Sequence, residues 1–276
     1  MATTLSRRDR VRAATVTEIK DTARRILVTE GPDGLSLRAI AREMGMTAPA
    51  LYRYFPSREQ LVEALIADLY DELTATLAAA GGTAGPAPDP RGQIDSVSNA
   101  AGGAAGGAAG ETAGETAGET AEAGDPRVQI TAASWAFRSW ALAHPREFGL
   151  LFGSPIPGID AHSDDSPAGP ASERFGQLFG DLVARIYLAD PFPVPAEDEM
   201  DPELRRQLRA WCSALPVELP IGAGQVFLSC WIRLYGMVAM EVFGHLRFAL
   251  PDAEPMFAAE LLDLAVKLGF GPAPAA

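Results

Sequence analysis

At 276 residues the chain is long enough for one or two domains with a sizeable core, and its 47% hydrophobic and 21% charged residues are ordinary globular composition. The formal net charge of −13 would argue against nucleic acid if it were evenly spread, but residues 1–60 carry +4 and the remainder −17. No run of about 18 uninterrupted apolar residues is present and the N-terminus lacks the apolar stretch of a signal peptide. Cys212 and Cys230 stand in apolar surroundings and read as free buried thiols, so a cytoplasmic protein is expected.

Residues 1–14 are basic and polar and are expected to form a flexible tail. A first helix is predicted over about 15–30: "TVTE", Thr15 to Glu18, has capping-box spacing, and Ile19, Ala23, Ile26 and Leu27 form one apolar stripe. "GPDG", 31–34, ends it. A second short helix runs from the N-cap Ser36 to Met44, and Gly45 breaks it. Thr47 caps a third that ends before Pro56. Ser57 and Gln60 then open a fourth, with Leu61, Leu65, Ile66, Leu69 and Leu73 on its apolar face. These elements define a head over 15–60 and a connecting helix over 61–80.

Residues 81–126 are Gly-, Ala- and Pro-rich and include "GETAGETAGETAEAG". With almost no large apolar side chains the segment cannot offset the entropy of ordering, so a disordered insertion is expected, with an interaction tail as the alternative. Helical patterns return over 128–143, 145–152, 171–189, 201–214, 223–247 and 254–268. No period-2 alternation persists, and the fold class is all-α: an N-terminal three-helix head joined to a larger C-terminal helical domain over 127–276.

From Leu37 onward the spacing is that of a helix-turn-helix. Small Ala41 lies where two helices must approach, and Gly45 lies at the turn, where a positive φ is needed. Leu51 and Phe55, one turn apart, pack inward with Ile40 and Met44. That leaves Thr47, Ala48, Pro49, Tyr52 and Arg53 on the outer side. Such a face suits a major groove: small residues allow close approach to bases, and tyrosine and arginine donate to phosphate. Arg53 could instead bridge to a guanine edge. An ordinary three-helix cluster with surface aromatics has the same spacing.

The stretch "LSLRAIAREMGMTAPALYRYFPSREQLVEAL" is more specific, and resembles the DNA-binding head of the tetracycline-repressor-like (TetR) regulators over about residues 15–66. The shared features are Leu-Ser-x-Arg-x-Ile-Ala, the Gly turn, Leu-Tyr-x-Tyr-Phe and Ser-Arg-Glu-x-Leu. The resemblance implies that Ser36 and Arg38 start the helix that crosses the DNA backbone. It places Ala48, Pro49 and Arg53 nearest the bases, and Tyr54 and Arg58 on the backbone. It further implies a homodimer on a palindromic operator, most often a repressor, with a C-terminal domain that dimerises and holds an effector. "SWAFRSWALAHPREFGLLFG" and "CWIRLYGMVAMEVFGHL" resemble the effector domains of an actinobacterial-type subgroup.

In residues 223–247, Phe227, Trp231, Leu234, Val238 and Val242 share one face, and Ile232, Tyr235, Ala239, Phe243 and Leu246 another. A helix apolar on several faces must be buried on several faces. With 254–268 it would supply two of the four helices of a twofold bundle, with Tyr235, Ala239, Phe243, Leu246, Leu261 and Leu264 as candidate interface residues. Candidate pocket aromatics are Trp135, Trp140, Phe148, Phe152, Phe175, Phe179, Trp211 and Trp231, with Arg138 as a polar anchor. His144, His162 and His245 lack metal-ligand spacing. No metal, cofactor or catalytic residue is expected. The expected partners are a double-stranded DNA operator, a second copy of the chain and an unidentified apolar or amphipathic effector, with no membrane. The alternative is a helical ligand-binding or protein-interaction module whose head docks on protein.

Overall fold

The computed structural model describes residues 6–82, 124–160, 163, 166–213, 215, 217 and 219–270, and among these the protein is helical without strands. Most of the Gly/Ala-rich segment expected over 81–126, the first residues of the expected N-terminal tail and His162 lie outside the described residues. Ten α-helices are described: α1 (Arg7–Glu30), α2 (Leu37–Glu43), α3 (Ala48–Tyr52), α4 (Arg58–Gly82), α5 (Pro126–Ala143), α6 (Pro145–Phe152), α7 (Ala168–Ala189), α8 (Pro202–Cys212), α9 (Ile221–Val242) and α10 (Glu254–Lys267). The described residues pack as two compact units, one within 1–76 and 139–178, the other within 77–138 and 179–276.

In the first unit, α1 begins eight residues before the expected Thr15. Its cap is Ser6, whose hydroxyl accepts from the Asp9 N–H and donates to the Asp9 carboxylate at 2.6 Å. Thr15 and Thr17 sit inside the helix, where their hydroxyls donate to the carbonyls of Val11 and Ala13. No breaker separates Arg7 from Glu30, so the earlier cap wins. Ile19, Ala23, Ile26 and Leu27 are buried with Leu37, Ile40, Leu51, Phe55, Leu61 and Leu65, the core of the head.

The same unit contains a clamp on α1. Arg24 donates to both Glu72 of α4 and the buried Glu147 of α6, and the Trp140 indole N–H donates to Glu72 at 3.1 Å. The Arg24 hydrogen bond holds the Glu72 carboxyl below the usual glutamate range, although burial opposes it. Tyr70, Phe148, Phe152 and Phe175 fill the space beside it, with neighbouring ring centroids 5.0–5.8 Å apart.

In the second unit, α9 ends at Val242, not at 247. The His245 N–H reaches back to the Met240 carbonyl at 2.8 Å and Gly244 takes φ +74, a Schellman turn that stops the helix although apolar spacing continues through Leu246. By length and composition α9 is apolar enough to cross a membrane. It nevertheless carries Arg233, paired with Glu260 of α10, and Glu241.

Arg138 of α5, only 6% exposed, joins three helices of this unit. It meets Glu241 of α9 in a fork of 2.7 and 2.8 Å and Glu254 of α10 at 2.9 Å, beside the rings of Trp135 and Phe257. Burial works against the charge, but the two carboxylates outweigh it and raise the guanidinium above its ordinary value. Substituting Arg138→Leu strands Glu241 without a partner and should cost about 3 kcal/mol in equilibrium unfolding, whereas adding Glu241→Leu should recover most of that loss.

Candidate functional site

The head's outer face is set by a five-residue helix. Ser36 caps α2 by accepting from the Ala39 N–H, and Gly45 at φ +66 closes a Schellman turn in which the Met46 N–H reaches the Ala41 carbonyl at 2.8 Å. A β-carbon at Gly45 would meet nothing, so the glycine is there for its backbone angle. The turn delivers the chain to Thr47, whose carbonyl accepts from Ala50 and Leu51 while its side chain makes no capping bond.

Leu51 is fully buried and Phe55 nearly so. With these two fixed, helical geometry turns Thr47, Pro49, Tyr52 and Arg53 outward, and all four are exposed; Ala48 is half-buried. Tyr52 leaves 44% of its surface in solvent. Ser36 and Arg38, at the start of α2, are also exposed.

Two of the predicted positions differ from expectation. Arg58 turns inward: its Nε donates to the Leu35 carbonyl at 2.7 Å and an Nη to the Pro32 carbonyl at 2.9 Å, tying α4 to the turn before α2. Tyr54 is half-buried, and the Arg12 guanidinium of α1 lies over its ring, 5.2 Å from the centroid. Sequence spacing showed neither partner, since both come from distant turns.

The second unit holds a cavity of about 50 Å³, partly open to solvent. Its walls are Ile130, Phe179, Val183, Phe227, Trp231, Leu234, Leu261, Leu264 and Phe270, with Thr131, Ser134 and the Cys230 thiol among them. Among the described residues that line it none carries a formal charge. Ser134 donates to the Ile130 carbonyl at 2.8 Å and Thr131 to the Arg127 carbonyl at 2.9 Å, so both hydroxyls have committed their protons. Burial pushes the Cys230 thiol up, which keeps it neutral.

The predicted pocket set therefore divides. Only Phe179 and Trp231 line the cavity. Trp140, Phe148, Phe152 and Phe175 pack in the first unit, Trp135 lies edge-on to Phe257 at 5.0 Å, and Trp211 stacks on Phe227 at 5.7 Å. Arg138 has no room for a ligand, because two carboxylates hold it. Leu261 and Leu264, expected at an interface, are buried and face the cavity. Of the other interface candidates, Tyr235, Ala239 and Leu246 are half-buried and Phe243 is exposed. Ile232 and Met240, not in the predicted set, share the exposed stripe of α9 with Phe243 at helical spacing.

A short helix held by a glycine turn, presenting small residues, a tyrosine and an arginine, is the arrangement of a helix-turn-helix. Comparison with known proteins narrows the class. Residues 19–65 match the sequence model of the bacterial regulatory proteins of the tetR family, and residues 130–264 match that of the tetracyclin repressor-like C-terminal domain. HTH-type transcriptional regulators of Mycobacterium tuberculosis and Mycobacterium bovis are each 29% identical over 238 residues, covering 82% of this chain and 80% of theirs. A protein named as a regulator, SCO4313, has a crystal structure that superposes with a TM-score of 0.63 at 28% identity, covering 94% of this chain and 98% of that one. A Rhodococcus protein of unknown function shares the fold, with a TM-score of 0.57 at 21% identity and coverage of 92% and 95%. The chain belongs to the TetR family of transcriptional regulators, with a DNA-binding helix-turn-helix at its N-terminal end.

The two arginines that follow α3, Arg53 at its C-cap and Arg58 at the start of α4, should behave oppositely. Arg53→Ala should weaken binding to a selected duplex about tenfold or more without changing the unfolding midpoint. Arg58→Ala removes two charge-assisted hydrogen bonds and should cost about 1–3 kcal/mol in urea unfolding, leaving the salt slope of DNA binding unchanged wherever the head is folded.

Proposed function

We propose that the protein is a cytoplasmic dimeric one-component repressor. Thr47, Ala48, Pro49, Tyr52 and Arg53 enter the major groove of each half of a palindromic operator, Ser36 and Arg38 hold the flanking phosphates, and a small neutral effector in the second unit releases the DNA. The support for two copies is the exposed Ile232, Met240 and Phe243 stripe on α9, with Gly236 between them and nothing above its backbone. An exposed apolar stripe on a helix otherwise packed in its own unit fits an isologous contact with a second copy.

The cavity carries the effector reading. It is apolar, lies outside the helix-turn-helix and has no charged side chain among the described residues that wall it. Its hydroxyls, with their protons committed to the backbone, offer only lone pairs. The ligand class that fits is therefore an uncharged, largely apolar molecule, flattened against Phe179, Phe227 and Trp231, with at most a hydroxyl or amide N–H toward Ser134 or Thr131. A carboxylate would be buried without a partner.

The effector acts through its different affinity for two arrangements of the protein, a coupling of about 1–3 kcal/mol in typical cases. Matched pairs of neutral ring compounds and their carboxylate analogues should separate cleanly. Neutral members should change Trp231 fluorescence and displace a selected duplex; the carboxylates should do neither at tenfold higher concentration. Leu264→Phe, which fills the cavity, should retain DNA binding and lose the response. Displacement by carboxylates, or by neutral compounds in the filled variant, would refute the assignment.

A further inference from the structure

The N-terminal half of α1 lies upstream of the matched helix-turn-helix segment and is not a loose tail: residues 7–18 are helical. Its composition changes abruptly along one face. Ile26, Ala23 and Ile19 form the stripe that packs on the head, and continuing that stripe backwards at helical spacing leads through Thr15 to Arg12 and Arg8. Where the apolar residues end, arginines take the same side of the helix. Arg12 lies over Tyr54, two residues after Tyr52 of the outer face, and both Arg8 and Arg12 are exposed. Arg7 and Arg10 add two more exposed cations on the same two turns.

At 1.5 Å per residue, α1 carries Arg8 about 16 Å beyond its first buried core residue. A helix face that leaves its own core and becomes cationic beside a recognition helix needs an anionic surface opposite it. DNA supplies one phosphate per 3.4 Å along each strand. Resting on the DNA-binding reading of the head, we infer that the first two turns of α1 are a second DNA-contacting element. Arg8 and Arg12 bind phosphates outside the bases read by α3, and Tyr54 orients Arg12 from below. The element adds affinity without sequence preference, because guanidinium–phosphate pairs fix position and do not read bases. It also gives a protein of net charge −13 a locally positive approach to DNA.

The test uses the full-length protein and two duplexes: one selected by the protein from a random-sequence pool with about one helical turn of DNA on each side, and the same core trimmed of those flanks. Fluorescence anisotropy is measured between 50 and 200 mM salt. Wild-type protein should bind the long duplex about tenfold more tightly and with a steeper salt slope, by about one unit for each flanking phosphate that trimming removes from the arginines' reach. The Arg8→Ala/Arg12→Ala variant should bind both duplexes alike, with the shallow slope, while its preference for the selected core over a scrambled one stays as in wild type. Arg8→Lys/Arg12→Lys, which keeps the charge, should restore the steep slope. Equal slopes for wild-type protein on the two duplexes would overturn the inference and need no variant to fold. A loss of core preference in the alanine variant would overturn it too, by making the arginines readers of sequence. No selectable duplex at all would defeat the DNA reading itself, and this inference with it.

Discussion

The burial of Leu51 is what the head's function depends on. A helix of five residues cannot hold itself in water, since nucleation costs more than one turn of hydrogen bonds returns. The direction of α3 is therefore imposed from outside, by the burial of Leu51 and Phe55, by the packing of α3 against α2 and by the Gly45 turn that sets the angle of approach. Once those two side chains are fixed, the outward set follows from a 3.6-residue period. Recognition by such a helix is a consequence of core packing, and this explains why a surface so small can be rigid enough to read a groove.

Charged residues in both units work as internal fasteners. Arg24 gathers Glu72 and Glu147, and Arg138 gathers Glu241 and Glu254, each arginine joining helices far apart in sequence. Both exploit the planar guanidinium, which can serve two carboxylates at once. Arg58 does comparable work with backbone carbonyls. These commitments separate the arginines that brace the fold from exposed ones such as Arg38 and Arg53 on the head. Net charge conceals this division, and only the partners reveal it.

The head was legible in the sequence because its constraints are local. Ser36, Gly45 and the Leu51–Phe55 pair lie within twenty residues, and caps, turns and helical period determine one another over that span. Helix ends were legible less often. Ser6 with Asp9 makes as good a cap as Thr15 with Glu18, and Gly244 stops α9 while apolar spacing runs on. The pocket resisted for a different reason. Hydrophobicity says that Trp140, Phe148 and Trp231 are buried but not against what, and only Trp231 among them meets empty space. Leu261 and Leu264 looked like interface residues because an inward stripe facing a cavity and one facing a partner have the same period.

Recognition by this head requires that α3 enter the major groove. Methylation protection on a duplex selected by the protein reports it directly, because guanine N7 lies in that groove. Two protected patches, centred about one helical turn apart with two chains bound per duplex by sedimentation, are the predicted result. Unprotected N7 positions throughout the bound site, or a single chain bound to a single patch, would contradict it.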